Sequence, residues 1–188
     1  MTILVTLSGW FLFVIMSHLN IEIKARTDNP DFVRAYLTTN HADFRGVDHQ
    51  TDTYYNIENG RLKLREGNIE NNLIYYERED LAGARESKFN LIDVSQSPGL
   101  KELLKQALGV LITVSKKREI YFIGNVKFHI DEVPDLGSFV EIEASNIRRS
   151  LSKEELENQC NFFIQELKIK NHDLVPASYS DMLLALAK

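Results

Sequence analysis

Cysteine is almost missing from this chain: Cys160 stands alone among 188 residues. No internal disulfide and no thiolate metal site can be built from it, and the usage fits a reducing compartment, so a cytoplasmic location is expected. Glycine (9) and proline (4) are scarce as well, which excludes collagenous and low-complexity chains. Positive charge is not in excess. A net charge of −5 and a pI near 5.6 argue against nucleic acid as a partner, because neutralising its phosphates takes a net basic surface. No glycine-rich loop of Walker or dinucleotide type occurs, and Ser115 has no acyl-transfer setting. Internal repeats are absent too. What remains, 44% hydrophobic and 26% charged, is the composition of a globule with a real core.

No uncharged apolar run reaches the roughly 20 residues needed to cross a bilayer. The longest, Ile3 to Met16, also lacks the leading positive charge and small-residue cleavage site of a signal peptide. Residues 1–17 are expected to be an apolar extension, either an upstream translation product with Met16 as the working start or a weak interfacial anchor. No firm membrane partner follows. Residues 18–188 are expected to form a single domain.

Apolar and polar residues alternate from Asn20 to Arg26, which predicts a strand. Asp28 then offers an N-cap and Pro30 a first turn for a helix over residues 29 to 39. Further strands are predicted over Thr51 to Ile57, Arg61 to Arg65, Leu73 to Glu79 and Glu86 to Ile92. A helix from Pro98 to Ala107 carries Leu100, Leu103, Leu104 and Ala107 on one face. Strands return at Leu111 to Arg118, Glu119 to Ile123, Val126 to Asp131 and Ser138 to Ala144. Ser152 and Glu155 form a capping box ahead of a helix whose stripe is Leu156, Cys160, Phe163, Ile164 and Leu167, and a last short helix covers Ser180 to Ala187. Short connections imply antiparallel neighbours, so the fold class is α+β, with roughly eight antiparallel strands, enough to close a small barrel with helices packed outside.

Several strands carry charge in strict alternation. Arg61, Lys63 and Arg65 share a face, as do Lys116 and Arg118, then Lys127, His129 and Asp131, then Glu141 and Glu143. Any one such face is ordinarily a solvent face. The apolar helix stripes need a partner, however, and the apolar strand faces are the one available. With helices outside, the charged faces line the inside of a tunnel. Like charges about 4 Å apart repel by roughly 4 kcal/mol at an effective dielectric near 20, so crowded cations demand a polyanion. Guanidinium forks suit phosphate oxygens, and the carboxylates suit hard divalent cations, Mg²⁺ or Mn²⁺.

The ordered set Asn20 to Arg26, His49 to Tyr55, Gly60 to Glu66, Ile74 to Arg78, Val114 to Arg118, His129 to Val133 and Leu136 to Glu143 resembles the CYTH superfamily of triphosphate tunnel metalloenzymes. That group includes class IV adenylate cyclases, thiamine triphosphatases and inorganic triphosphatases, and the resemblance covers residues 19 to 186. It implies that Glu22, Asp131, Glu141 and Glu143 hold the metal, and that Lys24, Lys63, Arg65, Arg78 and Arg118 grip the phosphates, with Arg61, Lys88 and Lys116 extending the same basic wall. Glu22, Lys24, Arg65 and Arg118 form the implied catalytic set. Asn20 departs from the family pattern E-x-E-x-K, standing where the first Glu belongs; its amide oxygen is a neutral substitute ligand.

The implied substrate is ATP or another triphosphate. The activity most resembled is that of a class IV adenylate cyclase, which forms cyclic AMP and pyrophosphate. Its alternatives are hydrolysis of tripolyphosphate, thiamine triphosphate or a nucleoside triphosphate, and polyphosphate binding without turnover. A homodimer is left open. His41, His49 and His172 have no recognisable partners, Asp52 and Tyr54 read as structural strand residues, and Cys160 reads as core.

Overall fold

A computed structural model describes residues 18–78, 83–147 and 150–187; the extension expected over residues 1–17 lies outside them. Among the described residues eight strands appear: β1 (His18–Arg26), β2 (Asp43–Tyr55), β3 (Arg61–Glu66), β4 (Asn72–Arg78), β5 (Arg85–Asp93), β6 (Val110–Ile123), β7 (Val126–Val133) and β8 (Gly137–Ser145). Helix α1 (Pro30–Thr39) follows β1, α2 (Leu100–Leu108) follows β5, and α3 (Lys153–Glu166) and α4 (Tyr179–Leu186) follow β8. The strands run antiparallel and close into a barrel in the order β1-β5-β4-β3-β2-β6-β7-β8, with β8 returning to β1. Among the described residues closure leaves no unpaired sheet edge, which an open sheet of this size would have to protect.

The larger of two apolar clusters lies outside the barrel, while the smaller gathers Tyr54, Val114, Phe139 and Tyr179 at the α4 end. Ile21, Ile23 and Ala25 of β1, Phe128 and Ile130 of β7, and Val140, Ile142 and Ala144 of β8 point outward and are covered by Val33 and Leu37 of α1 and by Leu156, Cys160 and Phe163 of α3. Phe128 meets Phe163 edge to face at 4.8 Å, an arrangement worth about 0.5–1.5 kcal/mol beyond the area it buries. Cys160 is buried and donates to the Ile21 carbonyl at 3.2 Å. Because period-2 alternation sends every second residue inward, this outer core forces the charged residues of the same strands into the lumen.

Several boundaries differ from the sequence expectation. Strand β2 begins at Asp43 rather than Thr51, because Asp48, Gln50 and Asp52 all face inward and are buried, so its first half shows no apolar alternation. The register of β2 against β6 shifts between Phe44 and Gly46, where Gly46 takes φ +123°, a conformation favouring glycine. Leu111 to Ile123 is one continuous strand rather than two. Helix α1 is capped by Asn29, whose side chain accepts from Phe32 N at 3.1 Å, not by Asp28, since Pro30 takes the first helical position. The capping box of Ser152 and Glu155 forms as expected. The stripe of α2 is not covered: none of its residues is buried and Leu103 is 62% exposed. No helix among the described residues is long and apolar enough to cross a membrane.

Candidate active site

Cross-strand register assembles the lumen. Glu22 stands opposite Glu143 and Lys24 opposite Glu141 between β1 and β8; His129 stands opposite Glu141 between β7 and β8; Arg118 opposite Asp131 between β6 and β7; Asp52 opposite Arg65 and Tyr54 opposite Lys63 between β2 and β3. All of these but His129 and Asp131, which are buried beside Glu141 and Arg118, line a cavity with about 800 Å³ of empty space, part of it continuous with solvent. Helix α4 stands over one end, bringing Ser178 and Tyr179 to the wall.

The basic side is organised by a carboxylate. Asp52, buried, accepts from Arg65 Nε at 2.8 Å, Lys63 Nζ at 2.9 Å and Lys116 Nζ at 2.7 Å. Burial alone would raise the Asp52 carboxyl, yet the charges of Arg65, Lys116 and Lys63 override it and hold it well below its usual range. The crowding acts the other way on Lys116: burial first, then Arg65, Arg118 and Lys63, bring its ammonium down to about 7 despite the pull of Asp52. Arg118 forms a second centre, donating to Asp131 Oδ1 and Glu141 Oε2, each at 2.6 Å. Tyr179 of α4 donates to Asp131 at 2.7 Å, and Lys24 Nζ lies 3.7 Å over the Tyr179 ring and 3.1 Å from Glu141.

The acidic side holds His129, Glu141 and Glu143, each offering a ligand atom within 4.8 Å of the others. His129 Nδ1 lies 3.2 Å from Glu141 and 3.6 Å from Glu143. Burial, helped by Arg118, lowers the His129 pKa, which favours the neutral imidazole that ligates metals. Glu141 stays ionised because Lys24 and Arg118 outweigh its burial. Asn20 and Glu22 line the same cavity, and the buried Asn20 Oδ1 has no hydrogen-bond partner among the described residues. One imidazole nitrogen, carboxylates and a partnerless amide oxygen fit a divalent cation.

Set against the sequence expectations, Glu22, Lys24, Lys63, Arg65, Lys116, Arg118, Glu141 and Glu143 share this lumen. Asp131 is buried against Arg118 and Tyr179 and is not one of the three clustered donors. Arg61 pairs with Asp181 of α4 at 2.9 Å. Arg78 and Lys88 occupy β4 and β5, but their side chains lie outside what is described. Glu22 accepts from Arg85 at 3.1 Å.

Sequence reasoning passed over His129 as a ligand, Asp52 as the counter-ion of three cations, and the pair Glu70 and Lys127, 2.5 Å apart across the lumen. A signal for His129 was present, since it shares the inward phase of Lys127 and Asp131. Glu70 sits in a loop, where no periodicity operates.

The fold recurs in solved structures. The PH1012 protein of Pyrococcus horikoshii is 27% identical with a TM-score of 0.71, the match covering 86% of this chain and 98% of that one. A conserved hypothetical protein of Pyrococcus furiosus is 24% identical, TM-score 0.72, with the same coverage. HpAC1 of Hippeastrum, whose structure is described as revealing a dominant triphosphatase activity, is 14% identical, TM-score 0.57, covering 90% of this chain and 95% of that one. Comparison with curated proteins finds none that matches. The CYTH domain family model matches residues 18–179, from the first residue of β1 to the first of α4, and the chain belongs to that family.

Proposed function

We propose that the lumen is the active site of a metal-dependent enzyme that cleaves a phosphoanhydride bond of a triphosphate, with hydrolysis as its reaction. The observation carrying this reading is the convergence of Lys24, Lys63, Arg65, Lys116 and Arg118 with Glu141 and Glu143 on one cavity, with His129 buried against those two carboxylates. Acids alone would suit a cation and bases alone an anion; both together suit a phosphate chain and its counter-ion.

In this scheme Arg65 and Arg118, each held by carboxylates, meet non-bridging oxygens with their remaining N–H groups, and Lys24, Lys63 and Lys116 neutralise the remaining charge. His129, Glu141 and Glu143 hold Mg²⁺ or Mn²⁺, with Glu22 and the Asn20 amide oxygen beside them. When bound, the cation supplies Lewis-acid stabilisation of charge on phosphate oxygens. Asp131 keeps the Arg118 fork oriented. A water attacks the terminal phosphorus, the bond to the bridging oxygen breaks, and pyrophosphate leaves from inorganic tripolyphosphate. Electrostatic preorganisation carries most of the work, since the cations are already fixed by Asp52, Asp131 and Glu141 before substrate arrives.

Hydrolysis is preferred to cyclisation because α4 and Tyr179 occupy one end of the lumen, and HpAC1, of the same fold, is described with triphosphatase activity. Cyclisation of ATP, the activity most resembled in sequence, keeps one supporting observation: Ile74, Tyr76, Phe89 and Leu91 of β4 and β5 give the cavity an apolar strip suited to a base. The two separate by product. Incubation with ATP or tripolyphosphate plus Mn²⁺ yields orthophosphate under the first reading and cyclic AMP with pyrophosphate under the second; a polyphosphate-binding module yields neither.

A further inference from the structure

The loop joining β3 to β4, residues 67–71, turns back across one end of the barrel, and Asp48 is the reason. That carboxylate, fully buried on β2, accepts the backbone N–H of Ile69 at 2.9 Å and of Glu70 at 3.0 Å, and the Gln50 side-chain amide at 2.7 Å. Asn68 fastens the same turn, donating to the Val47 carbonyl at 3.0 Å and accepting from His49 N at 2.7 Å. Gly67 permits the close approach, because a Cβ there would stand 2.5 Å from Asp48 Oδ1.

So latched, the loop delivers Glu70 into the lumen. One carboxylate oxygen accepts from Lys127 Nζ at 2.5 Å, and the other from Arg65 Nη1 at 2.9 Å and Gln50 Nε2 at 3.1 Å. Arg65 is on β3 and Lys127 on β7, with β2 and β6 between them, so Glu70 bridges the barrel mouth. Burial would raise its pKa, but Lys127 and Arg65 hold it far below the usual carboxylate range, and the group is a permanent anion. Two cations gathered on one anion inside a basic lumen is the arrangement a phosphoryl group requires, and here the protein's own carboxylate fills it.

We propose that Glu70 sets the length of phosphate chain the lumen accepts, closing the β3–β4 end with a fixed negative charge where a further phosphoryl group would sit. The inference rests on the triphosphate reading of the lumen. Glu70 repels the end of a longer chain and denies it Arg65 Nη1 and Lys127, while Arg65 Nε remains on the inner side with Asp52. Asp48 is a positioning residue, acting only through the loop.

The test compares dissociation constants of linear tripolyphosphate and tetrapolyphosphate, each with Mn²⁺, for the full chain and for Glu70→Gln and Asp48→Asn, by titration calorimetry. The ratio is the readout, because longer chains gain general electrostatic affinity for any basic site. The unaltered protein is expected to favour tripolyphosphate. Glu70→Gln, nearly isosteric, should shift the ratio at least tenfold toward tetrapolyphosphate, and Asp48→Asn, which loosens the latch, should shift it the same way. A ratio unchanged within twofold in folded variants overturns the proposal and leaves Glu70 an internal counter-ion. Failure of the unaltered protein to bind either chain length overturns the triphosphate reading, and this inference with it.

Discussion

Asp52 and Arg65 face each other across the β2–β3 ladder in a two-point ion pair, Oδ1 to Nε at 2.8 Å and Oδ2 to Nη2 at 3.1 Å. Since Lys63 and Lys116 share that carboxylate, one anion compensates three buried or half-buried cations. Removing one member of a buried ion pair costs about 3–5 kcal/mol, far more than an exposed pair contributes. Asp52→Asn is expected to lose stability of that order in denaturant unfolding, and tripolyphosphate should restore part of it, since a ligand at 100 times its dissociation constant adds about 2.7 kcal/mol.

Arg65→Ala and Glu141→Ala should each lower kcat/KM at least about 100-fold while leaving the fold intact. The fold survives Arg65→Ala because Asp52 keeps Lys63 and Lys116, and Glu70 keeps Lys127. Arg65→Lys should fall between, having a point charge without the fork. Steady-state kinetics beside melting curves check all three; folded variants with full activity would refute the site assignment.

His129 gives the acidic cluster a nitrogen donor, which suits Mn²⁺ better than Mg²⁺. Calorimetry should show Mn²⁺ binding at least about tenfold more tightly than Mg²⁺, and His129→Asp should narrow that gap. Equal affinities in the unaltered protein would count against a ligand role for His129.

The barrel was legible wherever one strand face met the helices. In β1, β7 and β8 the apolar faces are fully covered by α1 and α3, so alternation is strict and the inward charges stand out. It was illegible in the first half of β2, whose buried residues are polar because they face the lumen, whereas α2 was legible as a helix although no residue of its stripe is buried. The site divides the same way. Lys63, Arg65, Glu141 and Glu143 are fixed by phase within a strand. The pairing of Asp52 with Lys116 and of Glu70 with Lys127 depends on contacts between separate segments, and no spacing encodes those.

Lys116 gives the lumen a charge that titrates near neutrality. With a folded pKa of about 7 and an unfolded value near 10.4, the unfolded chain binds more protons between those limits, so stability without ligand rises with pH across that window, by at most about 1.4 kcal/mol per unit. Tripolyphosphate favours the protonated form, so its affinity should weaken as pH rises through 7. Lys116→Met should flatten both dependences relative to the unaltered protein, as read by denaturant unfolding and calorimetry at pH 6 to 9. Identical profiles in the two proteins would contradict the assignment.

That the barrel lumen takes and cleaves a triphosphate is checked by phosphate release from tripolyphosphate in the presence of Mn²⁺. Orthophosphate and pyrophosphate are expected in equal amounts from the unaltered protein, and none above background from Arg65→Ala. Absence of any product from tripolyphosphate or ATP, in protein shown to be folded and metal-loaded, would contradict it.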